Sequence, residues 1–237
     1  MKRLSIFLLL TLLWLAANLV HAEDAGEYLE LALKSSTASK KIKYLSKALE
    51  LDPNLASAYA KRGMLYYFQE RYDHVIEDFE KYTRLIPDDA EGYRMLGMGY
   101  LYNESYDSAI ATFTHALTVD PSMISALCYR AEAYRRSGKN EEALRDSTTV
   151  IRLGKEARIV ADAYITRAKV FGKIGQKKQA VADIRASLQI DPRTWFYRYV
   201  SGYASLEEIR GAGMIAILVL AFVLIFKLRM KGPNQED

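Results

Sequence analysis

Two apolar runs flank a middle in which apolar and polar positions alternate at helical spacing. The first runs from Leu4 to Val20. The second, Gly211 to Phe226, contains no charge. Between them, apolar residues recur at three- and four-residue steps, the period of an amphipathic helix. "YRMLGMGY" (Tyr93–Tyr100) and "AIATFTHAL" (Ala109–Leu117) show it, with the polar turn "YNESYD" (Tyr102–Asp107) between them. The pattern predicts helical hairpins over residues 23–194.

The hairpins repeat. Pro53, Pro87 and Pro121 follow one another at 34-residue steps, and "ALELDP", "TRLIPD", "ALTVDP" and "SLQIDP" recur at the helix ends. Tyr59, Gly63, Tyr66 and Phe79 stand before Pro87 as Tyr93, Gly97, Tyr100 and Phe113 stand before Pro121. Tyr164, Ala168, Phe171 and Ile184 hold the same offsets from Pro192. Another unit fits without its proline through Ala131, Tyr134, Gly138 and Ala143, and is followed by about three extra residues around "KEARIV". A helical hairpin cannot bury its apolar stripe alone, so such units stack. Small residues such as Gly97, Ala109 and Ala116 belong where helices touch most closely, and Pro121 ends one hairpin and starts the next.

On these residues the chain resembles the tetratricopeptide repeat (TPR) family. Five units fit, at about 23–55, 56–89, 90–123, 124–160 and 161–194. Two units depart from the family pattern: Lys41 in the first, and Val75 and Tyr82 in the second, stand where small residues are expected. The resemblance implies an all-α superhelical solenoid whose first helices line a concave groove and whose second helices form the convex back. Helical spacing then places Lys61, Met64, Tyr67 and Phe68, and Arg94, Met98, Leu101 and Tyr102, on the groove. It adds Tyr129, Glu132, Arg135 and Arg136, then Thr166, Lys169 and Lys173. An aromatic, Met-rich middle suits peptide docking. A basic end suits an acidic side chain or a carboxylate.

The flanking runs set the expected location. Lys2 and Arg3, the apolar stretch and the small residues before Glu23 read as a signal peptide over 1–22, with an uncleaved anchor as the alternative. Residues 211–230 read as one transmembrane helix, and Lys227, Arg229 and Lys231 predict a cytoplasmic tail over 231–237. Residues 195–210 read as a juxtamembrane cap helix. Its aromatics, Trp195, Phe196, Tyr197, Tyr199 and Tyr203, suit either the headgroup level or packing on the last repeat. The repeats are thus expected outside the cytoplasmic membrane, in a bacterial envelope.

Charge and chemistry narrow the function. The net charge of +4 comes mostly from the flanks, and the middle is nearly balanced, so no nucleic-acid partner is expected. The single cysteine, Cys128, excludes an intramolecular disulfide and paired-cysteine zinc sites, and reads as a small core residue. His74 and His115 lack a serine or cysteine partner at a useful spacing, and Glu77, Asp78 and Glu80 read as a solvated helix face. No catalytic, metal or cofactor site is expected. "NES" at Asn103–Ser105 fits a glycan acceptor. The sequence points to a membrane-anchored adaptor that binds a protein or peptide partner, in assembly or maintenance of an envelope complex. The alternatives are a self-assembling structural protein of the membrane surface and, further off, a regulatory subunit of an enzyme.

Overall fold

The structure is a computed structural model and describes residues 24–191. The signal peptide, cap helix, transmembrane helix and tail expected from the sequence lie outside the described residues. Among the described residues no helix is long and apolar enough to cross a membrane.

The described chain is all-α. The first of its two compact units ends at Asn103 and the second begins at Glu104. In the first, α1 (Ala25–Lys34), α2 (Ala38–Leu51), α3 (Ala56–Phe68), α4 (Tyr72–Leu85) and α5 (Ala90–Tyr102) each pack on the next. In the second, α6 (Tyr106–Val119), α7 (Ile124–Arg136), α8 (Asn140–Leu153), α9 (Ala157–Lys173) and α10 (Lys177–Ile190) do the same, and α9 also packs on α7. The boundary falls in the turn of the hairpin read from 90–123.

Local chemistry sets the ends. Asp52 and Asp120 each accept the backbone N–H two residues on, at 2.9 Å, which bends the chain across the intervening proline. This is the work of the recurrent "DP". Ile86 takes the aspartate's place before Pro87, and there Asp89 caps α5 by accepting from the Glu91 N–H at 3.0 Å. Within hairpins, the turn needs one left-handed residue. Glu70 (φ 58°), Glu104 (φ 61°), Gly138 (φ 84°) and Gly175 (φ 82°) supply it at equivalent positions.

Both departures in the second repeat have a compensation in α5. A Cβ on Gly92 would lie 2.6 Å from the Tyr82 ring, and one on Gly99 would lie 3.1 Å from the Val75 and Ile76 side chains. The small residue has moved to the facing helix. At Gly63 the family's own small position operates, since a Cβ there would meet the Phe79 ring at 2.7 Å.

A second repeating device was not anticipated from the sequence. Arg62 clamps Asp78 through Nε and Nη2 at 3.0 and 2.6 Å, and its Nη1 donates to Ser46 Oγ at 2.8 Å. Arg130 clamps Asp146 at 2.7 and 3.1 Å and reaches Thr114. Arg167 clamps Asp183 at 2.7 and 2.8 Å and reaches Thr148. Each guanidinium lies beside ring faces, Tyr59 and Tyr66, Tyr134, or Tyr164 and Phe171. Three helices are thereby joined by one planar fork, a role suited to arginine rather than lysine. Asp78, expected on a solvated face, is therefore buried at 2% exposure. Its neighbour Glu80 accepts from the Tyr100 hydroxyl at 2.7 Å.

Candidate functional site: two faces built on first helices

In the first unit the expected groove residues separate. Lys61 is exposed, Met64 is 45% exposed and Phe68 is 73% exposed at the end of α3. Tyr67 is half-buried and meets Phe68, Tyr72 and Tyr102 at ring-centroid distances of 5.9, 6.2 and 5.9 Å. Tyr102 stacks on Tyr72 at 5.3 Å. Three tyrosines from three helices thus make an aromatic shelf that ends in an open phenylalanine. Tyr72, in the first turn of a second helix, was missed because the family resemblance assigns second helices to the convex back.

Met98 and Leu101 are corrections. They are 4% and 1% exposed, so neither offers surface to a partner. The reason is the composition of α5, where Met95, Leu96, Gly97, Met98, Gly99 and Leu101 are all buried. A helix apolar on every side is a core helix, and its stripe does not show which face is open. Arg94 is half-buried, is paired with Glu91 and donates to Met98 Sδ. It is held by its own helix.

In the second unit Tyr129 stacks on Phe113 at 5.9 Å and leans on the core. The charged residues converge. Glu132 accepts from Arg135 Nε and Nη2 at 2.7 and 2.6 Å, and from Arg136 Nε at 2.8 Å. Thr166 Oγ1, from α9, reaches the same carboxylate at 3.4 Å. The side chains of Glu132, Arg135 and Arg136 are 17%, 23% and 31% exposed, so the cluster is partly desolvated but open to water. Burial alone would raise the Glu132 pKa. The bonds and charge of Arg135 and Arg136, with the charge of Lys169, reverse this and hold it at about 2. Burial lowers the Lys169 amine below the usual lysine value, and repulsion from Arg135 and Arg136 adds to it, against the attraction of Glu132 and Asp162. Tyr106 is a further partner of Arg136. Lys173 is exposed, with its Nζ 3.7 Å from where a Gly138 Cβ would stand, at the turn after α7.

Cys128 Sγ lies 3.8 Å from the Ile159 carbonyl oxygen, and burial pushes its thiol up to about 12, so it stays protonated in the core. Among the described residues no group of three His, Cys, Asp or Glu side chains is placed to hold a metal ion.

The family model of the tetratricopeptide repeat matches residues 56–89, 90–123 and 161–194. The chain carries tetratricopeptide repeats. Solved structures with the same fold include YrrB, described as a TPR protein with an unusual peptide-binding site. It is 22% identical over 78% of this chain and 96% of its own, with a TM-score of 0.63. A MamA protein is 21% identical over 75% and 97%, with a TM-score of 0.64. MamA from Desulfovibrio magneticus RS-1 is 14% identical over 73% and 97%, with a TM-score of 0.63. Among curated proteins no sequence matches the chain. Outside the matched residues, Ala25–Lys34 with Ala38–Leu51 and Ile124–Arg136 with Asn140–Leu153 also form pairs of packed helices.

Proposed function

We propose that the chain is a scaffold whose first helices capture a peptide or protein segment, held at a membrane by its C-terminal apolar run. The observation that carries this is the aromatic shelf of the first unit. Phe68 and Met64 stand in water beside packed tyrosines although the core makes no use of them. Exposed aromatic and Met side chains grouped on one helix are what a peptide-docking surface requires. A TPR fold supplies such surfaces, and YrrB carries a peptide-binding site on it. The uncharged run Gly211–Phe226 with the basic residues after it supports an anchor with the repeats on the far side of the membrane. An anchor confines the scaffold near the bilayer and raises its effective concentration for membrane-bound partners. Work on an envelope complex suits that position.

The test is crosslinking of the full-length protein in cells, beside Met64→Glu with Phe68→Glu, the captured proteins being identified by mass. Both side chains are open, so helicity and melting should hold. A partner caught by the parent and lost from the folded variant supports the scaffold. Self-crosslinks alone, unchanged in the variant, would replace it with the self-assembling protein.

A further inference from the structure

The hairpin of α9 and α10 carries a surface that the fold does not ask for. The second residue of the second helix is Asp73 in α4, Asp107 in α6 and Glu141 in α8. An acid there suits the positive end of the helix dipole. In α10 the same place holds Lys178, next to Lys177, and the first turn has no acid. Cations at a helix start oppose the dipole, so local stability does not account for them.

The surface around them is uniform in sign. Lys173, Ile174, Lys177 and Lys178 are exposed, Ile174 at 41%. Arg185 is exposed two turns further along α10, on the same side as Lys178. None of these four cations has an ion pair with another described residue. The acids of α9 and α10 are withdrawn from the patch. Asp183 is buried in the Arg167 clamp. Asp162 is half-buried about 16 Å before Lys173 along α9, with Arg158 as its leading cation. The α1–α2 hairpin differs, since it sets Lys40, Lys41 and Lys43 against exposed Glu27, Glu30 and Glu50.

The patch also has a place in the chain. Of the described helices, α10 is nearest in sequence to the uncharged run Gly211–Phe226. Residues 192–210 can bridge up to about 65 Å, against about 21 Å for the length of α10. The turn before α10 is therefore within reach of a bilayer that holds the run.

We propose that Lys173, Lys177, Lys178 and Arg185, with Ile174 among them, rest on the headgroups of an anionic bilayer. This goes beyond peptide capture and rests on the C-terminal span of the proposed scaffold. Each cation close to an anionic leaflet favours the docked state by about fivefold. The span keeps the patch near the lipid, so contacts too weak to hold a free protein suffice. A span alone confines the scaffold, and the patch gives it an orientation.

The experiment places full-length Gln176→Cys, labelled with fluorescein, in vesicles of phosphatidylcholine or of its equal mixture with phosphatidylglycerol. Cys128 is buried and protonated, so the label goes to the turn. Energy transfer to rhodamine lipid should be higher in the mixture and should fall to the phosphatidylcholine level in high salt. Lys173→Gln, Lys177→Gln and Lys178→Gln together should lower the ratio of docked to free protein about a hundredfold. Circular dichroism should match the parent, because all three side chains are open. Should the triple variant fail to fold, Arg185→Gln and the salt series on the parent carry the test. Equal transfer in both lipids, or unchanged transfer in the folded triple variant, would overturn the docking face. Flotation after alkaline carbonate reports the span separately, and protein stripped by carbonate would overturn the anchor and this inference with it. Soluble polyglutamate that abolishes the transfer at a lower charge concentration than the lipid would replace the bilayer with an acidic protein.

Discussion

The two units use one repeat and reach opposite surface chemistries. At the last position of the first helix stand Phe68, Tyr102, Arg136 and Lys173 in chain order, and one turn earlier stand Met64, Met98, Glu132 and Lys169. The partner position at the start of the second helix follows suit. Tyr72 stacks on Tyr102 in the first unit, and its equivalent Tyr106 lies near enough to Arg136 in the second to help raise its pKa. The change runs from rings to charges while the hairpin stays the same. The scaffold therefore separates two sets of positions. One holds helices together and repeats. The other varies from repeat to repeat, open at Met64 and Phe68 and buried at Met98, and it contains the positions proposed to dock a peptide.

The shared set is the first place to break the comparison. The Arg–Asp clamp occurs in both units, so it belongs to the scaffold. Asp78→Ala should cost about 3–5 kcal/mol, because it leaves the Arg62 guanidinium buried without its carboxylate. Chemical denaturation of the full chain measures it. The third repeat offers the control, having Leu96 and Thr112 at the clamp positions. Arg62→Leu with Asp78→Thr together should cost far less than Asp78→Ala alone. An equal loss in both would mean that the clamp is needed for itself rather than as one of two acceptable solutions.

Acid sharpens the difference between the units. Glu132 is held at about 2 when folded, against 4.5 as the ordinary value. A carboxyl depressed by folding stabilises the protein above its unfolded value, and that contribution is lost as the pH falls from about 4.5 toward 2. The shift corresponds to at most about 3 kcal/mol. Glu132→Gln should remove this part of the slope, so parent and variant should converge near the acid end. Urea midpoints at stepped pH values read it, and parallel curves would show that Glu132 gains nothing from its cations. The same substitution in the first unit has no counterpart, because Met98 and Met64 do not titrate.

How much of this was legible in the sequence follows the same division. The period, the hairpins and the turn prolines were readable because each repeats at fixed offsets. Clustered charge on Arg135, Arg136 and Lys169 was readable because the residues share helix faces. Met98 and Leu101 were misread because α5 is apolar all round, and spacing cannot choose an open side on such a helix. Asp78 was misread because its partner stands sixteen residues earlier, on another helix. Val75 and Tyr82 looked like defects because their compensation lies on a facing helix, outside the repeat they interrupt.

That compensation makes its own prediction. Gly92→Ala puts a methyl into the Tyr82 ring and should cost about 1–3 kcal/mol. Adding Tyr82→Ala opens the space, and the double variant should be less destabilised than the two single losses summed, a coupling that a double-mutant cycle isolates. Additive losses would mean that Gly92 is small for a reason other than Tyr82.

The smallest effect concerns the turns, where the repeats again differ. Glu70 in the first unit and Glu104 at the start of the second occupy the left-handed position that Gly138 and Gly175 hold further along the second unit. An L side chain with a Cβ pays about 1 kcal/mol or more for that conformation, and glycine does not. Glycine also loses more freedom on folding, which offsets part of the gain. Glu70→Gly should therefore raise stability by a few tenths to about 1 kcal/mol, while Gly138→Ala should lower it by about 1 kcal/mol. The space around Gly138 is open apart from Lys173 Nζ at 3.7 Å, so the loss would be conformational and not a clash. Opposite signs at equivalent turns would show that the repeats share one turn geometry and differ only in how well their residues suit it. A loss in both would mean that the Glu70 side chain contributes something that its strained backbone conceals.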